Sequence, residues 1–227
     1  LLRSAEDSFS GLIATALDGR IGAQPLQLRW LDREGREVSE TANLVVQSGG
    51  YSAEAIQVGP DRLPLLDPSL GQAETAMLAA IWAQVGPERL WQGRWSLPVG
   101  SVVTSPFGGA RDYNSGQLIS RHTGMDLRGR IGDPVYAPAA GRVVLAEPLS
   151  VRGNAIWVDH GWGVYSGYFH LSRIDVIVGQ GVERGTYLGA VGNTGRSTAP
   201  HLHWEVRIHG RASNPVQWLW RDVGRLP

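Results

Sequence analysis

Residues 196–207 read Arg196-Ser197-Thr198-Ala199-Pro200-His201-Leu202-His203-Trp204-Glu205-Val206-Arg207, and the alternation that starts at His201 decides the fold. His201, His203, Glu205 and Arg207 take turns with Leu202, Trp204, Val206 and Ile208, the period-two pattern of a half-buried strand, and Pro200 fixes where it begins. The two histidines therefore share a face. Their Cα atoms stand roughly 7 Å apart at the strand rise, so two imidazoles can converge on one metal ion or on a metal ion and its water.

The chain around this strand has 227 residues, room for one large or two small domains, and its 42% hydrophobic content is enough for real cores. Acidic and basic residues balance at 21 each without a basic run, which argues against nucleic acid as a partner. No apolar run approaches the ~18 residues of a membrane span, and no signal-peptide pattern opens the sequence at Leu1. Cysteine is absent, which excludes disulfides, thiolate metal sites and thiol nucleophiles. Lysine is absent too, so every basic residue is an arginine.

The N-terminal part reads as short strands at 10–16, 26–32, 43–47 and 52–58, separated by Asp18-Gly19, Arg33-Glu34-Gly35 and Ser48-Gly49-Gly50 turns. A small β-sandwich-like domain over residues 1–66 is expected. Pro60, Pro64 and Pro68 interrupt regular structure, and residues 72–85 change period: Leu78, Ile81, Trp82 and Val85 form one helical stripe, stopped by Gly86-Pro87. Residues 67–98 are thus a linker with a connecting helix. From 99 to 227, strands at 135–137, 142–146, 155–160, 164–170, 175–178, 187–191 and 201–208 alternate with glycine turns and no helix separates them. That excludes βαβ units and leaves an antiparallel β-domain, so the fold class is mainly β. This domain has enough strands to close a core and is expected to fold alone.

A second constellation is His122-Thr-Gly-Met-Asp126, where Gly124 disfavours a helix and suggests a turn leading into a strand. With His201-x-His203 it offers the two imidazoles and one carboxylate of a catalytic zinc site that leaves its fourth position to water. A third piece is His170, at the end of the strand in Gly-Tyr-Phe-His-Leu-Ser. Alone, it reads equally as a strand-end histidine bonded to backbone. His160 reads as a turn-stabilising residue, His209 as an exposed turn, and Trp162, Trp204, Trp218 and Trp220 as core or interface residues. Arg111, Tyr113 and Asn114, in the loop before His122, are candidate walls of a substrate groove.

Six motifs occur in order: Ser-Pro-Phe-Gly at 105–108, His-x-Gly-x-Asp at 122–126, Pro-Val-Tyr-Ala-Pro-Ala-Ala-Gly at 134–141, Asp-His-Gly at 159–161, Tyr-Phe-His-Leu-Ser at 168–172 and Pro-His-Leu-His-Trp-Glu at 200–205. By these motifs the segment from about Thr104 to Trp218 resembles the lysostaphin and LytM-type zinc metalloendopeptidases that cut peptidoglycan peptides. The resemblance implies an antiparallel β metallopeptidase domain of barrel-sandwich type with a groove across the metal. It implies Zn2+ held by His122, Asp126 and His203, catalytic roles for His170 and His201 beside the metal's water, peptidoglycan peptides as partner, and an extracytoplasmic workplace. The sequence departs from the family at Ala199, often glycine, and at Ala110, often arginine. Both departures bear on groove shape and not on a ligand.

No His-Glu-x-x-His helix is present, so His170 and His201 are left to handle protons, and the sequence does not say which is the base. Residues 135–145 and 178–191 also resemble biotinyl and lipoyl carrier domains, but these need an attachment lysine and the chain has none. A catalytically inactive, envelope-binding activator of another hydrolase is the alternative reading. A closed structural zinc site would need a fourth protein ligand.

Overall fold

The His-x-His stretch forms the strand His201–Ile208, and it lies inside the principal sheet. It pairs antiparallel with Val164–Leu171 on one side and with Met125–Arg128 on the other. Beyond Val164–Leu171 come Gly153–Asp159, Gly141–Leu149 and Gly181–Val182, and beyond Met125–Arg128 comes Val103–Ser105. The order is open at both ends, so this mainly β chain contains no closed barrel among its described residues. The structure is a computed structural model that describes residues 2–5 and 8–220, with side chains from residue 11 onward. The remaining positions of the two expected domains lie outside the described residues.

The central strand departs from the half-buried expectation, because every residue from Leu202 to Ile208 is buried. Both faces are covered. On one face Leu202, Trp204, Val206 and Ile208 join a core with Trp91, Trp95 and Trp218. On the other, Trp157, Tyr165 and Phe169 pack with Leu78 and Trp82, and the Arg207 guanidinium lies 4.0 Å from the centre of the Trp82 ring. Glu205 and Arg207 are thus buried beneath a helix from the N-terminal half, and their charges pair with one another.

That helix runs Pro68–Trp82, earlier at both ends than residues 72–85. The Asp67 carboxylate accepts from the Ser69 N–H at 2.8 Å, and Pro68 occupies the first turn, a start signal that the stripe alone overlooks. Val85 lies beyond the end and is exposed. The proline-interrupted stretch before it is a 3-10 helix, Pro60–Leu66.

The N-terminal residues take a smaller form than a sandwich. Gly22–Leu31 and Glu37–Val46 make a two-stranded ribbon of ten residue pairs, and Leu2–Ala5 with Ser8–Ser10 makes a second. Residues 11–16 are not a strand. A two-stranded ribbon has too little apolar area to close a core, and the next strand, Ala53–Ile56, pairs elsewhere: it runs parallel to Ala110–Tyr113, which pairs antiparallel with Leu118–Arg121. Among the described residues no helix is long and apolar enough to cross a membrane. Residues 175–178 form no strand, and Trp220, expected in a core or interface, is exposed.

His160 is fully buried behind the sheet rather than at a turn surface. Its Nδ1–H donates to the Ala140 carbonyl at 2.7 Å, so Nε2 accepts from the Ser166 hydroxyl at 2.7 Å. Burial, only partly opposed by the Ala140 carbonyl, pushes its pKa from 6.5 down to about 4. The unfolded chain therefore binds more protons than the folded one between these values. The stability His160 contributes is complete above pH 6.5 and lost as pH falls to 4, about 3 kcal/mol in all. Urea unfolding at pH 7 and pH 4 should show a smaller acid loss in His160→Gln than in the parent. Equal losses would remove His160 from the account.

Candidate metal centre

The register of three strands assembles the centre. His203 lies opposite Asp126 in one pairing and opposite Phe169 in the other, and its ring stacks on Phe169 at 5.2 Å. Asp126 belongs to Met125–Arg128, and His122 sits in the short link that enters this strand. Gly124 is required there. A Cβ at this position would lie 2.7 Å from His203 Nε2 and closer still to the Trp204 carbonyl oxygen.

Three atoms converge: His122 Nε2 is 3.0 Å from Asp126 Oδ1 and 3.1 Å from His203 Nδ1, and His203 Nδ1 is 2.9 Å from Asp126 Oδ1. Hydrogen bonding at the far side of each ring fixes what these atoms are. His122 Nδ1 is 2.8 Å from the Pro106 carbonyl, so it carries the proton and leaves Nε2 a lone pair. His203 Nε2 faces the Glu205 carboxylate at 3.5 Å, which leaves Nδ1 to the centre. Two imidazole lone pairs and a carboxylate oxygen thus confront one another at about 3 Å, close to the roughly 3.3 Å edge of a tetrahedron of zinc ligands. Such a set of acceptors needs a cation in its midst. A proton on His203 is one answer, because Asp126 and Glu205 together overcome burial and raise its pKa. A divalent metal is the other, and the donor set of two nitrogens and one oxygen suits zinc.

The surroundings hold His122 and Asp126 in their ligating forms. Burial lowers the pKa of His122 against the pull of Asp126, which favours the neutral ring. Burial would raise the Asp126 carboxyl, but hydrogen bonds with His122 and His203 hold it well below the usual carboxylate range. Its second oxygen takes the Arg111 guanidinium at 2.5 Å. Glu205 is likewise held down at about 2, burial being outweighed by Arg207 and His203. Partners of this kind orient a metal ligand and fix its tautomer.

His170 and His201 stand beside the three, with ring centres 4.9 Å apart and His170 6.1 Å from His203. His201 Nδ1 donates to the Ala199 carbonyl and His170 Nδ1 to the Thr194 carbonyl, each at 2.8 Å, so both leave Nε2 as an acceptor. His201 Nε2 is 3.6 Å from Asp126 Oδ1. Burial is the main cause that lowers both pKa values, His170 well below 6.5, and keeps the rings neutral.

The structure therefore brings all five of these candidate residues together, His122, Asp126 and His203 converging at their ligand atoms and His170 and His201 beside them. The proposed groove walls divide. Arg111 and Tyr113 line a cleft of about 230 Å3 beside the centre, but Arg111 is tied to Asp126 and Glu54 and Tyr113 is buried against Val58 and Leu66. Asn114 belongs to the scaffold: its side chain accepts from the Val58 N–H at 2.8 Å. Sequence reasoning assigned no role to Glu205, although it shares the parity of the two histidines, nor to Glu54, for which no local signal exists.

An open antiparallel sheet thus brings a His-x-x-x-Asp pair and a His-x-His pair together, and the cluster of two histidines and one carboxylate at His122, Asp126 and His203 is a donor set compatible with a metal ion. The sequence profile of Peptidase family M23 matches residues 120–215. The crystal structure of a Pseudomonas aeruginosa protein assigned to peptidase M23 superposes with a TM-score of 0.68 at 30% identity, over 90% of this chain and 75% of that one. The chain belongs to peptidase family M23, a family of zinc metallopeptidases. A zinc-containing peptidase from Vibrio cholerae superposes with a TM-score of 0.52 at 32% identity, over 55% of this chain and 40% of that one. Peptidoglycan DD-endopeptidase ShyA of Vibrio cholerae is 38% identical over 115 residues, 51% of this chain and 27% of ShyA. The match thus spans about a quarter of the length of that curated relative.

Proposed function

We propose that this chain is a zinc-dependent endopeptidase that hydrolyses peptide cross-links or stem peptides of bacterial peptidoglycan and works outside the cytoplasm. The observation that carries this reading is the confrontation of three acceptor atoms at His122, Asp126 and His203, each ring tied at its far nitrogen, with two further neutral histidines alongside. The family membership and the ShyA match support the substrate class.

Zinc bound by neutral imidazoles and one carboxylate supplies a Lewis acid that polarises a peptide carbonyl and makes water acidic enough to ionise near neutral pH. The protein supplies proton handling. His170 and His201 give their Nδ1 protons to backbone carbonyls, so each has one basic nitrogen, Nε2, that can take a proton from water and return it to a leaving amine. The presence of both histidines beside the three acceptors favours an active enzyme over an envelope-binding activator without activity.

Elemental analysis should find one zinc ion per chain after expression in zinc-rich medium. A strong chelator should remove the metal together with the hydrolysis of purified peptidoglycan, and added zinc should restore both. Protein without zinc after that treatment would refute the metal assignment. Zinc-loaded protein that cleaves no peptidoglycan would leave the activator reading in its place.

A further inference from the structure

The cleft beside the centre is unusually cationic for a chain of zero net charge. Arg111, Arg121, Arg152, Arg196 and Arg207 line it, against one carboxylate, Glu205. Three of the five have a carboxylate partner: Arg111 pairs with Asp126 and Glu54, Arg152 with Glu74 at 2.8 Å, and Arg207 with Glu205. Among the described residues, Arg121 and Arg196 have none within 4.0 Å. Arg121 is exposed, where water solvates its charge.

Arg196 differs because it is half-buried. Its guanidinium lies 4.9 Å from the centre of the Tyr113 ring, and its one backbone bond, to the Leu65 carbonyl, is long at 3.4 Å. Burial lowers its pKa, the Tyr113 hydroxyl opposes this, and the nearby charges of Arg111 and Arg152 add to the lowering. A guanidinium held on an aromatic platform, partly stripped of water and repelled by its neighbours, lacks an anion. Arg196 lines the same cleft as His122, His170 and His203, so an anion on Arg196 would belong to whatever peptide reaches the centre.

We infer that Arg196 is a specificity-determining residue that binds a carboxylate of the substrate peptide in this cleft. The inference rests on the endopeptidase reading. A planar guanidinium donates two parallel hydrogen bonds to a carboxylate and cannot do so to a carboxamide, so the substrate favoured is a peptide with a free carboxyl group near the scissile bond.

The test uses zinc-loaded full-length chain and two substrates, a cross-linked dimer of stem peptides as free acid and the same dimer with its carboxyls converted to carboxamides. The parent should prefer the free acid by roughly 10- to 100-fold in kcat/KM, expressed in KM, the scale of charge-assisted hydrogen bonds. Arg196→Gln should erase the preference while its activity on the carboxamide stays within about twofold of the parent, which also shows that the fold survives. Arg196→Lys, which keeps the charge without the planar fork, should retain part of the preference. A parent without preference, an Arg196→Gln that still discriminates, or equal losses on both substrates would overturn the inference. If the parent cleaves neither dimer, the endopeptidase reading fails by itself. Binding titrations with the same two dimers then judge the subsite: tighter free-acid binding lost in Arg196→Gln supports it, and equal affinities refute it.

Discussion

Replacing His201 with alanine is expected to leave one zinc ion per chain in place and to lower hydrolysis of purified peptidoglycan by about 100-fold or more, the scale of a lost acid–base group. His203→Ala, two residues along the same strand, is expected to lose the metal and the activity together. The difference follows from which nitrogen each ring offers. His203 presents Nδ1 to the point where His122 Nε2 and Asp126 Oδ1 meet, at 3.1 and 2.9 Å, and its far side is held by Glu205. His201 is 3.6 Å from the same oxygen and carries its proton toward Ala199, which places it beside the three converging atoms rather than among them. His170→Ala should resemble His201→Ala. Zinc measured on both purified variants separates the roles, and an empty His201→Ala beside a filled His203→Ala would reverse the assignment of the strand.

Although the strands from 99 onward suggest a domain that folds alone, a fragment beginning at Leu97 is expected not to fold cooperatively, because its cores include Trp91, Trp95, Leu78 and Trp82 from the preceding residues. Trp91 is completely buried and Trp95 nearly so, and both belong to the core that contains Trp204 and Trp218. Truncating a buried tryptophan costs about 3–5 kcal/mol, so losing two removes roughly as much as the ~5–15 kcal/mol that stabilises an ordinary domain. The cut also strips Leu78 and Trp82 from the opposite face and removes Ala53–Ile56 from its partner strand. Circular dichroism during heating should show a broad, non-cooperative change where the full chain gives a single transition. A sharply melting, zinc-binding fragment would show that the sheet needs neither cover.

The central strand and its two histidines were legible because strand parity is geometric: residues two apart share a face whatever surrounds them, and His201 and His203 do. His122 and Asp126 were legible as a pair, with Gly124 between them marking the turn. His170 was legible only through the resemblance, since parity along Val164–Leu171 places it with Tyr168, on the face away from His203. The backbone overrides parity. His170 has a left-handed φ of 62°, beside a register shift in the pairing with Gly153–Asp159, and this turn swings the ring to the metal side. No local pattern announces such a conformation in a histidine. The cover of the sheet was hidden for a related reason. Tryptophans 82, 91 and 95 are visibly apolar, but which surface they serve depends on pairing between distant segments, such as Ala53–Ile56 with Ala110–Tyr113. The expected sandwich failed at the same point, because its last strand is recruited by a sheet that sequence proximity does not suggest.

That recruited strand reaches the centre through the Arg111 guanidinium and through the Ser105 hydroxyl, which bonds Glu54 and lies 3.2 Å from His122 Nδ1. Glu54, on Ala53–Ile56, meets Arg111 at 3.5 Å, and Arg111 meets the second oxygen of Asp126. Docking of the strand and the charge seen by a cation at Asp126 are therefore two ends of one electrostatic chain. By thermodynamic reciprocity, whatever factor strand docking contributes to cation affinity, the cation returns to strand docking. The N-terminal half is then a participant in the affinity of the site, and an occupied site is a clasp on the N-terminal half.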